Sequence, residues 1–210
     1  ENTTAKNIIS SINSINVKDG ATLTMDANGL FRNGNEINGF VFEDGTQFYY
    51  TGEESVNAIF KKEINGYTGE NDNYYLIANP TDNNYVGNLD YYYTHDLYTF
   101  DPEEALEWQN HHDDIIPYVE RGIGYLYANS EDITLQFSGN LMPAGTTALT
   151  LVKAEEGEGI DFPGFNLIGN PFACNAYVSG YNFYTMENGE FILNEGSATI
   201  APCEGFFVEA

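Results

Sequence analysis

The residues of this sequence best suited to binding a metal ion are its three histidines, His95, His111 and His112. The last two precede Asp113 and Asp114, and imidazole together with carboxylate is a donor set that Zn²⁺ accepts. Neighbouring residues of an extended chain point to opposite faces, so two adjacent imidazoles do not easily reach one ion. We therefore interpret this segment as a polar loop in solvent and predict no metal site.

The sequence also shows no recognisable arrangement of catalytic residues. Asp96 follows His95 and could orient it as a base, but no serine in a nucleophile elbow accompanies the pair, and neither cysteine has a histidine nearby in sequence. The 32 acidic residues offer too many pairs for any rule to select two that would hydrolyse a glycoside. A glycine-rich phosphate loop is absent as well. The sequence assigns no reaction, and we expect a non-catalytic protein.

Aromatic residues interleaved with Asp and Asn suggest a binding surface instead. The residues concerned are Tyr91, Tyr92, Tyr93 and Trp108. Exposed rings stack on the C–H faces of sugars, while carboxylates and amides beside them bind hydroxyl groups. In the alternative interpretation, alternate tyrosines face a core and the others decorate the surface of a sheet. The carbohydrate interpretation predicts that these four residues bind the ligand.

The two cysteines, Cys174 and Cys203, allow two interpretations. A disulfide between them would close a loop of about 30 residues and stabilise the fold by roughly 3 kcal/mol on the chain-entropy model. It would also imply an oxidising compartment. The other interpretation is two buried free thiols that pack as small apolar groups, because two cysteines alone define no disulfide framework.

The charge of the chain restricts its partners. Seven basic residues stand against 32 acidic ones, a formal net charge of −25, so nucleic acid and anionic membrane surfaces would repel it. The carboxylates could hold Ca²⁺, although the alternating Asp and Asn of an EF-hand loop are missing, and we expect no other cofactor. No apolar stretch is long enough to span a membrane. The chain begins without a leader pattern, so we expect a fragment or a mature form of an exported protein.

Short strands joined by tight turns are the elements expected from 15% aromatic residues and 21 glycines. Residues 1–64 form an N-terminal β segment in this prediction. It contains two similar phrases with Asp-Gly turns, 17–23 and 42–48, spaced by 25 residues. That spacing suits one coil of a β-solenoid, and two hairpins are the alternative. Residues 55–64 alternate apolar and polar residues and predict a half-buried strand.

Residues 65–210 contain one unit twice, at about 74–129 and 165–210. Each copy has an apolar strand ending in Asn-Pro, a second strand that leads into an acidic turn, and a strand that begins with glycine and an aromatic residue. The corresponding segments are 74–80, 97–100 and 124–127 in the first copy, and 165–171, 183–186 and 205–208 in the second. Proline donates no ladder hydrogen bond, so the first strand of each copy must end there.

The remaining segments complete the predicted fold. The insertion 101–108 has a capping Asp101, then Pro102 and two glutamates, and predicts a short helix, the only one expected. Residues 133–137 and 148–152 alternate apolar and polar residues and predict strands on either side of a turn at 142–145. The fold class is therefore all-β: an antiparallel β-sandwich built from a duplicated unit, preceded by short solenoid-like or hairpin strands.

Over about residues 60–210, the chain resembles the C-terminal β-modules of large secreted and surface proteins of Bacteroidetes. The segments that carry the resemblance are 164–172, 183–184, 200–202 and 205–208. The family commonly has Trp where this chain has Phe165, and often Met where it has Cys203. The resemblance implies an exported, multidomain protein that is held at the cell surface or released from it.

Together these observations predict a non-catalytic module of a secreted or cell-surface bacterial protein, which supports adhesion or presents a binding face. The alternative is a carbohydrate-binding accessory domain of a glycan-processing protein. The expected partner is a glycan or a host or cell-surface protein.

Overall fold

The computed structural model describes residues 3–10, 15–17, 22–33, 40–52, 56–69, 73–82, 84–85, 95–111, 118–153 and 160–210. Over these residues the protein is all-β and contains no helix, which confirms the predicted fold class. The described strands are numbered β1 to β19 in chain order. Most of them are short, as the abundance of glycine suggested.

The strands fall into three successive groups. The N-terminal group is β1 (Thr3–Ser10), β2 (Ile15–Val17), β3 (Thr22–Asn33), β4 (Phe40–Phe42), β5 (Gln47–Tyr49) and β6 (Asn57–Ile64). The first copy and the linking strand are β7 (Tyr75–Ala78), β8 (Asn84–Tyr85), β9 (His95–Phe100), β10 (Trp108–Asn110), β11 (Tyr118–Val119), β12 (Gly124–Asn129) and β13 (Ile133–Asn140). The second copy is β14 (Phe165–Gly169), β15 (Ala176–Ser179), β16 (Phe183–Glu187), β17 (Glu190–Asn194), β18 (Ser197–Ile200) and β19 (Gly205–Glu209).

The N-terminal strands form two parallel stacks, β1-β3-β5 and β2-β4-β6. Val17 pairs with Phe42 and Leu23 with Phe48, so the strands before and after residues 18–21 stack in register on those before and after residues 43–46. Hairpins would have paired these strands antiparallel. The parallel register is that of a β-solenoid, whose interior is filled by stacked rings such as Phe42 on Phe60, with centroids 4.5 Å apart.

The linking strand β13 ends the second of these stacks. It pairs antiparallel with β6 along its full length, from Ile133 opposite Ile64 to Asn140 opposite Asn57. The sheet order is therefore β13-β6-β4-β2. Because an antiparallel neighbour interrupts the parallel repeat, β13 covers the edge on which a further coil would stack.

The two copies of the repeated unit have the same topology. The first forms a four-stranded antiparallel sheet in the order β7-β12-β9-β10, and the second forms the same sheet as β14-β19-β16-β17. Each sheet carries a two-stranded ribbon, β8-β11 in the first copy and β15-β18 in the second. The two copies therefore share the same strand connectivity as well as the same sequence motifs.

The two sheets meet in a nearly two-fold symmetric contact. Ile77 bridges Glu204, and in the matching position Ile168 bridges Ile123. A shared apolar cluster fills the space between the sheets, with Leu76 from the first copy and Leu167 from the second. The two units therefore build one sandwich.

The glycine of each Gly-aromatic strand permits this close approach. A Cβ on Gly124 would lie 2.8 Å from the carbonyl oxygen of Ile168, and one on Gly205 would lie 3.1 Å from that of Ile77. The first distance would force the strands to shift, and the second would require the neighbouring backbone to give by a few tenths of an ångström. The glycines are conserved between the two copies because backbone meets backbone there.

The helix predicted at 101–108 does not form, and that prediction was wrong. Asp101 accepts a hydrogen bond from the Glu103 amide at 3.0 Å, as an N-cap would. The segment nevertheless folds back as a hairpin loop, because Trp108 pairs with Phe100 in the β10–β9 ladder. Tertiary pairing of the flanking strands therefore overrides a local capping signal.

A strand predicted at 148–152 was also wrong, whereas the one at 133–137 is confirmed within β13. Residues 141–153 are outside any ladder. The Asn166 side chain takes the place of a neighbouring strand: its Oδ1 accepts from the Val152 amide at 2.8 Å and its Nδ2 donates to the Val152 carbonyl at 2.9 Å. A single side-chain amide does not continue along the chain as a strand does, so no ladder propagates from Val152.

The largest apolar core runs across the junction at residue 64. It joins Phe60 of the solenoid to Tyr127 of the first copy and Ala173 of the second. Two ion pairs also connect these regions, because the Lys62 ammonium lies 3.6 Å from Asp44 and 3.4 Å from Glu204. Burial opposes the charge on this amine, but the two carboxylates outweigh it and raise the pKa of Lys62. The solenoid and the sandwich share one interior.

Candidate functional site

The asparagine of each Asn-Pro motif is a framework residue. Asn79 Nδ2 donates to the Val119 carbonyl at 2.9 Å, and Asn170 Nδ2 donates to the Ile200 carbonyl at the same distance. Both side chains are fully buried, and the Oδ1 of each accepts an amide two residues along the chain. Each asparagine thereby fastens the two-stranded ribbon of its copy to the end of the first strand.

The cysteines lie in the core as free thiols. Cys174 and Cys203 are both buried. Burial raises the pKa of each thiol, and Lys62 only partly offsets this for Cys203. Since the thiolate is the nucleophile, neither residue is poised for covalent chemistry at neutral pH.

Among the histidines, His95 and His111 lie side by side with ring centroids 5.9 Å apart. His112, Asp113 and Asp114 fall outside the described residues. Within the described part of the chain, no three His, Cys, Asp or Glu residues come together in a way that could hold a metal ion. The described residues therefore offer no site for the Ca²⁺ that the composition suggested, and Ca²⁺ binding stays a prediction.

Trp108 is half-buried at the edge of the cluster between the sheets. Its ring makes edge contacts with Phe100 at 5.0 Å and with Phe207 at 5.6 Å between centroids. Tyr91, Tyr92 and Tyr93, the other residues predicted to bind sugar, lie outside the described residues. Their role stays a prediction, as does that of Trp108.

The surface around Trp108 opens into a cleft with two cavities of about 380 Å³ and 250 Å³, which we call the Trp108 cleft. Its walls are mainly apolar and consist of Tyr74, Tyr98, Trp108, Leu126, Phe162, Phe165, Tyr184, Met186, Gly189, Phe191 and Phe207. The loop with Phe162 is held by buried Glu107, which accepts hydrogen bonds from the Asp161 and Phe162 amides at 2.8 and 3.1 Å. Such a cleft suits an apolar group and offers few partners to hydroxyls.

A different surface combines exposed rings with polar groups. It consists of two adjoining cavities of about 420 Å³ and 520 Å³, with Leu149, Tyr177 and Val178 bordering both. Tyr49 lines the first cavity and Tyr181 the second. We call this surface the tyrosine groove. Groups for stacking and groups for hydrogen bonding lie together in it, as carbohydrate sites require.

The sequence analysis did not select the residues of the tyrosine groove. A signal for it does exist, because residues 133–152 and 162–186 contain no charged residue in a chain with 32 acidic ones. Both uncharged stretches contribute to the groove, through Leu149 and Tyr177. Which tyrosines are exposed depends on the packing of the second copy, and so no spacing rule indicates them.

Comparison with known proteins adds no relative: the chain matches no family model, no curated protein and no solved structure. In the described residues there is also no helix that is long and apolar enough to cross a membrane.

Proposed function

We propose that residues 65–210 are a non-catalytic module of a secreted or cell-surface bacterial protein, which ends a β-solenoid and presents a binding face for adhesion. The observation that carries the proposal is the pairing of β13 with β6, because it places the duplicated unit against the last parallel strand. A domain in that position caps the stacked coils.

The polar chemistry of the described interior supports a non-catalytic role. Asn79 and Asn170 are engaged in the framework, Lys62 is paired with Asp44 and Glu204, and the buried thiols keep their protons at neutral pH. The net charge of −25 suits an exposed, soluble surface and disfavours nucleic acid and anionic lipid as partners.

The location can be tested with antibodies raised against the purified chain. We expect them to label intact cells of the source bacterium, and we expect proteinase K added to intact cells to remove the signal while a cytoplasmic control protein survives. Labelling that requires lysis of the cells would contradict the proposed surface location.

The second candidate function is a carbohydrate-binding accessory domain, and the exposed tyrosines of the tyrosine groove favour it. Binding of the purified chain to oligosaccharides on a glycan array would support this function, and silence across the array would remove it. An oligosaccharide that is shortened during incubation would contradict the non-catalytic role. Neither outcome bears on the surface location, which the antibody experiment tests separately.

A further inference from the structure

The tyrosine groove is continuous and has two distinct walls. One wall is the segment at 144–151, which lies outside any ladder, and the other is strand β15. The floor is the outer face of the second sheet, where Ile168, Phe183 and Phe206 belong to one apolar cluster. Because Leu149 and Tyr177 border both cavities, a single elongated ligand could occupy the whole length.

Three exposed tyrosine rings follow one another along this groove. Tyr49 borders only the first cavity, Tyr177 borders both, and Tyr181 borders only the second. Their exposed fractions are 47%, 72% and 50%. A tyrosine ring that keeps this much surface in water is available for stacking, and a series of rings suits a ligand with repeated apolar faces.

Hydroxyl and amide groups accompany the rings. Thr146, Thr147 and Asn175 line the first cavity, and Ser179 lines the second. Hydroxyl groups donate and accept, and an amide offers both kinds of partner. The groove therefore provides stacking surface and hydrogen bonds over the same length, which is what sugar rings require on their faces and edges.

Electrostatics restricts the ligand further. Of the described residues that line the groove, none has a charged side chain, although the chain as a whole has a net charge of −25. An anionic ligand would meet repulsion from the rest of the protein, and a cationic one would find no side-chain carboxylate among these residues. A neutral ligand avoids both penalties.

We propose that the tyrosine groove binds a neutral oligosaccharide, with Tyr49, Tyr177 and Tyr181 stacking on successive sugar units. This inference rests on the second function proposed above and gives it a site and a class of ligand. Tyr177 lies at the centre because it borders both cavities.

The test is an array that carries neutral gluco-, galacto- and manno-oligosaccharides beside sialylated and sulfated ones and neutral peptides. The strongest neutral oligosaccharide is then titrated into the full chain and its variants. We expect Tyr177→Ala to weaken binding about tenfold, and Tyr177→Phe, which keeps the ring, to bind nearly as well as the parent chain. Tyr118→Ala is the control, since Tyr118 is also an exposed tyrosine (48%) and lies outside the groove.

Ionic strength and melting temperature provide two further measurements. Because ligand and groove are both uncharged, added salt should change the Kd less than about twofold. Tyr177 is mostly exposed, so Tyr177→Ala should keep the melting temperature of the parent chain, and its weaker binding then reflects the lost ring.

Several results would overturn the proposal. Preference for anionic glycans or for a peptide would exclude a neutral oligosaccharide. Loss of binding in Trp108→Ala with full binding in Tyr177→Ala would move the sugar to the Trp108 cleft and leave the carbohydrate function standing. No binding by any glycan on the array, neutral or anionic, would remove both the site and the carbohydrate function, while surface display would remain.

Discussion

Asn79 and Asn170 explain why the Asn-Pro motif occurs in both copies. Proline ends the first strand, and the asparagine before it reaches across to a strand of the ribbon, Val119 in one copy and Ile200 in the other. Both amides are inaccessible to water, so their hydrogen bonds have no solvent substitute. The motif therefore has a structural role, and it occurs twice because the two copies share one arrangement of strands.

Replacing Asn170 with alanine tests this role. The carbonyl oxygens of Cys174 and Ile200 would lose their buried donor, and we expect the free energy of unfolding to fall by about 2 to 3 kcal/mol. Urea denaturation followed by far-UV circular dichroism measures the change. Asn182→Ala, at an exposed position, is the control and should stay within about 0.5 kcal/mol of the parent. Equal stability of the two variants would contradict the structural role of Asn170.

Among the elements, the strands that meet at the two-fold contact constrain the sandwich most. The Ala78 amide donates to the Cys203 carbonyl at 3.1 Å, and in the matching position the Gly169 amide donates to the Gly122 carbonyl at 3.0 Å. These reciprocal bonds join β7 to the segment before β19 and β14 to the segment before β12. Small residues at this contact let the backbones of these four segments approach one another closely.

Gly124→Ala should therefore destabilise the sandwich, because its methyl group would lie 2.8 Å from the Ile168 carbonyl oxygen. We expect a loss of about 3 kcal/mol, at the upper end for an overpacked site. Gly145→Ala is the matched control, since the nearest atom to its Cβ is 4.0 Å away, and its melting temperature should equal that of the parent. If both variants melt at the same temperature, the contact is looser than the structure indicates.

At the scale of the whole molecule, the solenoid and the sandwich belong to one core. Phe42 and Phe60 of the solenoid lie in the same apolar cluster as Tyr125 and Tyr127 of the first copy. A shared core couples the stability of both parts, because a cavity in one removes packing from the other. We expect the described residues to unfold in one cooperative transition.

The single tryptophan makes this coupling measurable, since Trp108 lies in the sandwich and Phe42 in the solenoid. Phe42→Ala should lower the urea midpoint seen by Trp108 fluorescence, by an amount equivalent to about 3 to 5 kcal/mol. Leu106→Ala, at a position that is 74% exposed, should leave that midpoint in place. An unchanged fluorescence midpoint in Phe42→Ala would show that the two parts unfold independently.

The sequence by itself determined the local features of this protein. Alternating apolar residues, turn residues and the Asn-Pro stops predicted the all-β class and the duplicated unit, because these signals act within a few neighbouring residues. The spacing of the Asp-Gly phrases suggested a coil, but only the pairing of Val17 with Phe42 distinguished it from hairpins.

Tertiary structure decided everything that depends on partners distant in sequence. The segment after Asp101 has the cap of a helix, yet it forms a hairpin because Trp108 finds Phe100 across a ladder and Phe207 across the sandwich. Exposure of Tyr177 likewise depends on how the second sheet packs. Burial and pairing are properties of the assembled chain, since each strand is stabilised mainly by neighbours that local propensity does not specify.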